Sequence, residues 1–290
     1  MFKNVLSLIT VILVFGSFKS EKSNSIQSYN SQNLNISFLL DLSDRIDTKK
    51  NSNISMEYYQ RDIQYIKSVE KAFISHVKQK KIMSLNDQIQ VFFDPTPSNP
   101  EINKLSKQLR INFDKNSSKN QILDVDKIFS DIPPKIYQYA IKEKKFIGSD
   151  IWRFFQKNVK DYCIQEKHRN ILVILTDGYM FHKNSKFNIE NKTSYITPSL
   201  IQTNKLNTAD YKVKIKSNNF GFIPASDKLQ NLEVLVLGIN PSKNNPFEEE
   251  VITQYWSDWF KSMGINKFNI KSAELPSDLD PVITKIIIGK

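Results

Sequence analysis

Two hydrophobic patterns alternate along this chain. Residues 36–42, 88–93, 171–175 and 232–237 are mostly apolar runs bounded by polar or glycine residues, as expected of strands covered on both faces. Between them the spacing changes to threes and fours. Ile63, Ile66, Val69, Phe73 and Val77 predict an amphipathic helix over 56–80, and Val251, Tyr255, Trp256, Trp259 and Phe260 predict another over 247–263 whose aromatics face a core. Ile128, Ile132, Ile136 and Ala140 mark a helix over 125–142 that Pro133-Pro134 should interrupt or restart. Ser149 is placed to cap a helix over 151–163, residues 109–113 to pair back as an edge strand, and Pro97 and Pro100 to lie in a loop. Residues 268–273 and 281–288 complete the sheet and a last helix or strand. This order predicts an α/β fold, a doubly wound and mostly parallel sheet flanked by helices.

One stretch breaks the alternation. Residues 179–230 lack helical periodicity, with an alternating piece at 211–215 and an apolar one at 220–223. They read as a long insertion, and because it begins after Asp177-Gly178 it is placed to cover or flank whatever lies at that strand end. The N-terminus differs again: Lys3, an apolar stretch over 5–18 and a polar stretch over 19–32. This predicts a signal peptide within 1–20 or a signal anchor, a polar leader over 21–34, and one α/β domain over 35–290. The expected location is outside the cytoplasm: periplasmic, secreted or associated with the cell envelope.

The formal charge of +11 comes from lysines spread among asparagines, with no compact basic stripe interleaved with aromatics. A nucleic-acid partner is therefore not expected, and a membrane partner only if the N-terminal apolar segment is retained. Cys163 is the only cysteine, so folding proceeds without an intramolecular disulfide, and its helical, apolar setting marks a core residue rather than a nucleophile. His76, His168 and His182 have no zinc or triad spacing.

Candidate chemistry gathers at predicted strand ends. Asp41-Leu42-Ser43-Asp44-Arg45 closes the first strand, Gly148-Ser149-Asp150 precedes a helix, and Thr176-Asp177-Gly178 closes the strand over 171–175. Open α/β sheets bind ligands at such carboxyl ends. The three segments together resemble the metal-ion-dependent adhesion site of von Willebrand factor A domains, a Rossmann-like fold. In that family the first loop reads Asp-x-Ser-x-Ser, a second loop supplies a Thr and a third an Asp. The resemblance implies Asp41, Ser43, Ser149 and Asp177 as ligands of Mg²⁺ or Ca²⁺, with Asp44 and Asp150 as adjacent carboxylates that tune the site or face solvent. It further implies an exported binding protein that engages a carboxylate of a protein partner through the ion, since a hard cation with few carboxylates keeps residual positive charge.

Arg45 departs from that pattern. It stands where the family has a hydroxyl and it cannot ligate a metal. Either it turns outward, or its guanidinium lies among the carboxylates in place of the cation. Two other readings stay open: a metal-assisted hydrolase with Asp41 as nucleophile or ligand, and a metal-free scaffold that keeps the fold. Against the hydrolase, Ser43 occupies the place of the second Asp of haloacid-dehalogenase-type phosphatases, and no glycine-rich phosphate loop is present.

Overall fold

The computed structural model describes residues 32–146, 148–242 and 244–289; the predicted signal segment and most of the polar leader lie outside them. The strands in chain order are β1 (Asn33–Leu40), β2 (Asp87–Phe92), β3 (Ile111–Phe113), β4 (His168–Leu175), β5 (Asn188–Ile189), β6 (Lys192–Thr193), β7 (Gly221–Phe222), β8 (Leu232–Ile239) and β9 (Lys267–Ser272). The helices are α1 (Tyr58–Lys78), α2 (Pro100–Gln108), α3 (Lys119–Glu143), α4 (Ile151–Lys157), α5 (Val159–Cys163), α6 (Pro198–Thr203), α7 (Tyr211–Ser217), α8 (Glu248–Ser262) and α9 (Pro276–Ile288).

The main sheet has the order β3-β2-β1-β4-β8-β9, parallel except for the edge strand β3. This is the predicted doubly wound α/β sheet. From β1 the chain winds to one side through β2, then crosses back to place β4 on the other side. The carboxyl ends of β1 and β4 therefore flank the point where the winding reverses, the usual place for a crevice.

Both faces are covered, which is why β1 and β4 are apolar nearly throughout. On one face α1, α3 and α9 bury Tyr65, Phe73, Phe129 and Ile283 against Phe38 and Val173. On the other, α4 and α8 pack Phe154, Phe155, Trp256 and Trp259 against Leu39, Ile174 and Val236. The insertion belongs to this second core. Trp152 and Trp259 both donate their indole N–H to the Ile223 carbonyl, at 2.8 and 3.0 Å, and Trp256 donates to the Gly178 carbonyl at 2.9 Å. These bonds satisfy three buried indoles and tie the 179–230 segment to the domain.

Several expectations need correction. Residues 119–143 form one continuous helix despite Pro133 and Pro134. Phe129, Ile132, Pro133, Ile136 and Tyr137 are buried on one face, and that packing outweighs the lost backbone bonds. Residues 211–215 are helical, with Tyr211 and Ile215 buried at a spacing of four and Val213 exposed, so the alternation with lysine was not a strand signal. The insertion holds α6, α7 and a small sheet of order β5-β6-β7. Pro100 opens α2, capped by Asn99, instead of lying in a loop. Asp150, not Ser149, caps α4 by accepting from the Arg153 N–H at 3.0 Å.

Candidate functional site

Asp41 is the first residue beyond β1. Its N–H continues the ladder to the Leu175 carbonyl at 3.1 Å, which fixes it beside the end of β4. Its carboxylate is buried and held on both oxygens: the Ser43 N–H donates to Oδ1 at 2.9 Å, and the Thr176 hydroxyl donates to Oδ2 at 2.9 Å. Thr176 in turn accepts from the Gly178 N–H at 3.2 Å. Gly178 has φ +96, and a Cβ there would meet Ile252 and Ile239 at 2.7 and 2.8 Å, so the turn leaving β4 requires glycine.

Arg45 folds inward, the second of the two expected alternatives. Its Nε donates to the Asp41 carbonyl at 3.1 Å and lies 3.6 Å from Asp41 Oδ2. One terminal nitrogen donates to Asp62 Oδ2 and, at 3.0 Å, to the Leu175 carbonyl. Asp62, on α1, also accepts from the Tyr137 hydroxyl at 2.8 Å. Burial pushes the Asp62 carboxyl up, against the pull of Arg45; burial also opposes the charge on Arg45, but the neighbouring acids, Asp62 and then Asp41 foremost, together outweigh it and hold the guanidinium protonated. These two tendencies oppose each other. The pair is ionised, because a guanidinium keeps its proton and Asp62 accepts from two donors.

Asp177 is half-buried and accepts from the Tyr179 N–H at 3.0 Å. Desolvation, and then the nearby negative charge of Asp41, push its carboxyl up to about 7. The fold therefore brings Asp41, Ser43, Asp177 and Arg45 to one edge. Asp44 is exposed and pairs with Lys50, so it faces solvent.

Ser149 and Asp150 reach the same edge by another route. The Asp150 N–H donates to the Asp94 carbonyl at 2.7 Å, just beyond β2, and Ser149 bridges to Phe181 beyond β4. The Ser149 hydroxyl is buried without a hydrogen-bond partner. Among the described residues no hydrogen bond or ion pair links Ser149 or Asp150 to Asp41, Ser43 or Asp177. Instead Asp150 belongs to a second cluster: Arg153 contacts Asp94 and Asp150, and His182 Nδ1 lies 3.1 Å from Asp150 Oδ2.

The sequence reading missed Asp62, Tyr137, Thr176, Asp94, Arg153 and His182 as parts of these clusters. A signal existed for one of them. Asp62 lies four residues before Ile66 and seven before Val69, an acid on the apolar stripe of α1.

As arranged, these side chains do not fit a hard divalent cation. The Arg45 guanidinium already supplies positive charge beside Asp41, each Asp41 oxygen already accepts a hydrogen bond, and Asp177 is raised toward neutrality. Among the described residues no three His, Cys, Asp or Glu side chains stand together as a metal-holding group.

The fold and its switch-point edge define a doubly wound α/β domain with a charged crevice. Compared with known proteins, no family model matches and no curated protein matches. Among solved structures, the chain is similar to an aerotolerance-related membrane protein from Bacteroides fragilis NCTC 9343, with 11% identity and a TM-score of 0.41 over 89% of this chain and 100% of that one. It is similar to BatB, a conserved hypothetical protein from Bacteroides thetaiotaomicron, with 10% identity and a TM-score of 0.39 over 89% and 100%. It is also similar to the pilus adhesin SpaC from Lactobacillus rhamnosus GG, with 12% identity and a TM-score of 0.37 over 89% of this chain and 30% of that one. At such distances the fold assignment rests on the strand order and register of this chain itself.

Proposed function

We propose that this chain is an exported binding protein of the von Willebrand factor A type, which engages a protein partner at the edge formed by Asp41, Ser43 and Asp177 without needing a divalent ion. The observation that carries this reading is the place of Arg45. A fixed guanidinium among Asp41, Asp62 and the Leu175 carbonyl supplies locally the positive charge that the family draws from a metal. The partner then meets an edge with permanent polarity instead of an exchangeable cation. The unpartnered, buried Ser149 hydroxyl favours a second reading, in which Asp41, Ser43, Ser149 and Asp177 hold Mg²⁺ or Ca²⁺ once Arg45 is out of the way.

Two measurements separate these readings. Calorimetric titration of the wild type with Mg²⁺, Ca²⁺ and Mn²⁺ should give no site heat, and Arg45→Ser, which restores the family's hydroxyl, should gain one. A wild type that binds any of the three sinks the ion-independent reading. For the binding function, a partner captured from the cell envelope should survive chelation by EDTA and be lost in Ser43→Trp, which blocks the edge while leaving Arg45, Asp62 and Tyr137 unsubstituted. Capture indifferent to Ser43→Trp would place the binding surface elsewhere.

A further inference from the structure

The opposite edge of the sheet, where the strands begin, carries a surface that this site does not use. Helix α1 ends there at Lys78, the turn Ile82–Ser84 leads into β2, and α3 starts there at Lys119. Between these pieces lies an open cleft of about 240 Å³ floored by Val77, Leu85 and Ile122. Ile82 and Leu123 line it, exposed by 39% and 58%, and Met83, next in the turn after Ile82, is exposed by 78%. Large apolar side chains grouped at a surface in this way mark an interaction site.

The rim is basic. Lys78 and Lys119 line the cleft and are exposed, and the exposed Lys81 immediately precedes Ile82. Of the nearby acids, Asp87 is buried and paired with Lys80 at 2.6 Å, the buried Glu70 and the exposed Asp126 share Lys67 at 2.9 and 2.6 Å, and Asp124 stands on α3, against the further lysines Lys71, Lys78, Lys81 and Lys119. The patch also adjoins the point where the chain enters the fold, because Lys80 Nζ donates to the Asn33 side-chain oxygen at 2.6 Å. The residues ahead of Asn33 include the apolar stretch over 5–18.

We propose that this patch rests on an anionic bilayer surface, with Ile82, Met83 and Leu123 at the acyl boundary and Lys78, Lys81 and Lys119 at the level of the lipid phosphates. The mixture of protruding apolar side chains and a lysine rim matches such a surface. A second copy of the chain fits less well, since a two-fold contact would set the same lysines against each other. The chain's own apolar stretch would fill the cleft but leave the lysines without countercharge. Seating this edge on lipid turns the Asp41 edge outward, toward partners. This proposal stands apart from the chemistry of the Asp41 edge.

The test uses the full chain with phosphatidylcholine vesicles, alone or with about one-third phosphatidylglycerol, and an environment-sensitive fluorophore on Met83→Cys or on Ile54→Cys. Ile54 is fully exposed at the opposite edge, and the native Cys163 is buried. The Met83 probe should shift to the blue and be quenched by nitroxide-tailed lipids on anionic vesicles only, while the Ile54 probe stays in water. Combining Lys78→Glu, Lys81→Glu and Lys119→Glu should weaken anionic binding at least a hundredfold, at about fivefold or more for each lysine. Equal binding to neutral and anionic vesicles would overturn the proposal. So would a Met83 probe that stays in water on vesicle-bound protein, or a lipid-free dimer abolished by Met83→Ser. None of these failures bears on the capture experiment at the Asp41 edge.

Discussion

Two carboxylate–arginine clusters stand at the same edge of the sheet, and their construction differs. In the first, the Arg45 side chain is 5% exposed, and it donates to Asp62 and to the carbonyls that end β1 and β4. In the second, the Arg153 side chain is 36% exposed and leans over the buried carboxylates of Asp94 and Asp150. The enclosed arginine acts as part of the scaffold, because without it the buried Asp62 carboxylate keeps the Tyr137 hydroxyl but loses its cation. The open one can be replaced in part by water. Equal charge therefore carries unequal weight, and burial decides which pair the fold depends on.

The comparison breaks most visibly at Asp62. Asp62→Ala leaves a buried guanidinium with only the Asp41 carboxylate, at 3.6 Å, and should cost about 3–5 kcal/mol in urea denaturation. A loss near zero would mean that water reaches Arg45 and that the two clusters are alike. Arg153→Ala should cost less, about 2 kcal/mol, because Asp94 keeps the Asn158 amide at 3.2 Å and Asp150 keeps the Arg153 main-chain N–H. If its cost matched that of Asp62→Ala, exposure would not be the deciding variable. Tyr137→Phe removes one hydrogen bond to Asp62 and should cost about 1 kcal/mol, measured the same way.

The smallest effect is a slope with pH. Asp177 rises from an ordinary 3.8 to about 7, so between those values the folded state holds a proton that the unfolded chain has released. Its contribution to stability therefore falls as pH rises from about 4 to about 7, softened because the side chain is half-exposed. Asp177→Asn should flatten this part of the stability curve relative to wild type. An unchanged slope would show that the carboxyl is already ionised in the folded protein.

The strands were legible where burial is two-sided. Residues 36–42 and 171–175 are apolar because helices cover both faces, and both lie within or against β1 and β4. The helix expected over 56–80 is α1 at 58–78, since its apolar stripe is regular. The insertion was not legible, because α6 and α7 are only 6 and 7 residues long, too short to display a period, and their stability comes from packing on α8. At the site, Asp41 and Asp177 were legible from their places beyond strands. The pairing of Arg45 with Asp62 was not, because it depends on how α1 lies across the sheet. Ser149 shows the limit of local reasoning: Asp150 offers the stronger cap one residue later, and the serine hydroxyl is left buried beside it.

The crossing of β4 back beside β1 also sets the order in which this protein can become itself. Asp41 and the Thr176 hydroxyl that secures it are 135 positions apart, and the Leu175 carbonyl that receives Arg45 is 130 positions from it. A ribosome adding about 5–20 residues per second needs roughly 7 to 27 seconds to cover that interval. Throughout it, one side of β1 lacks a neighbour, Arg45 lacks part of its cage, and an apolar strand edge is open to any other chain. The Asp41 edge is therefore completed only once β4 has emerged, and until then the newborn chain offers a chaperone an open strand edge to hold.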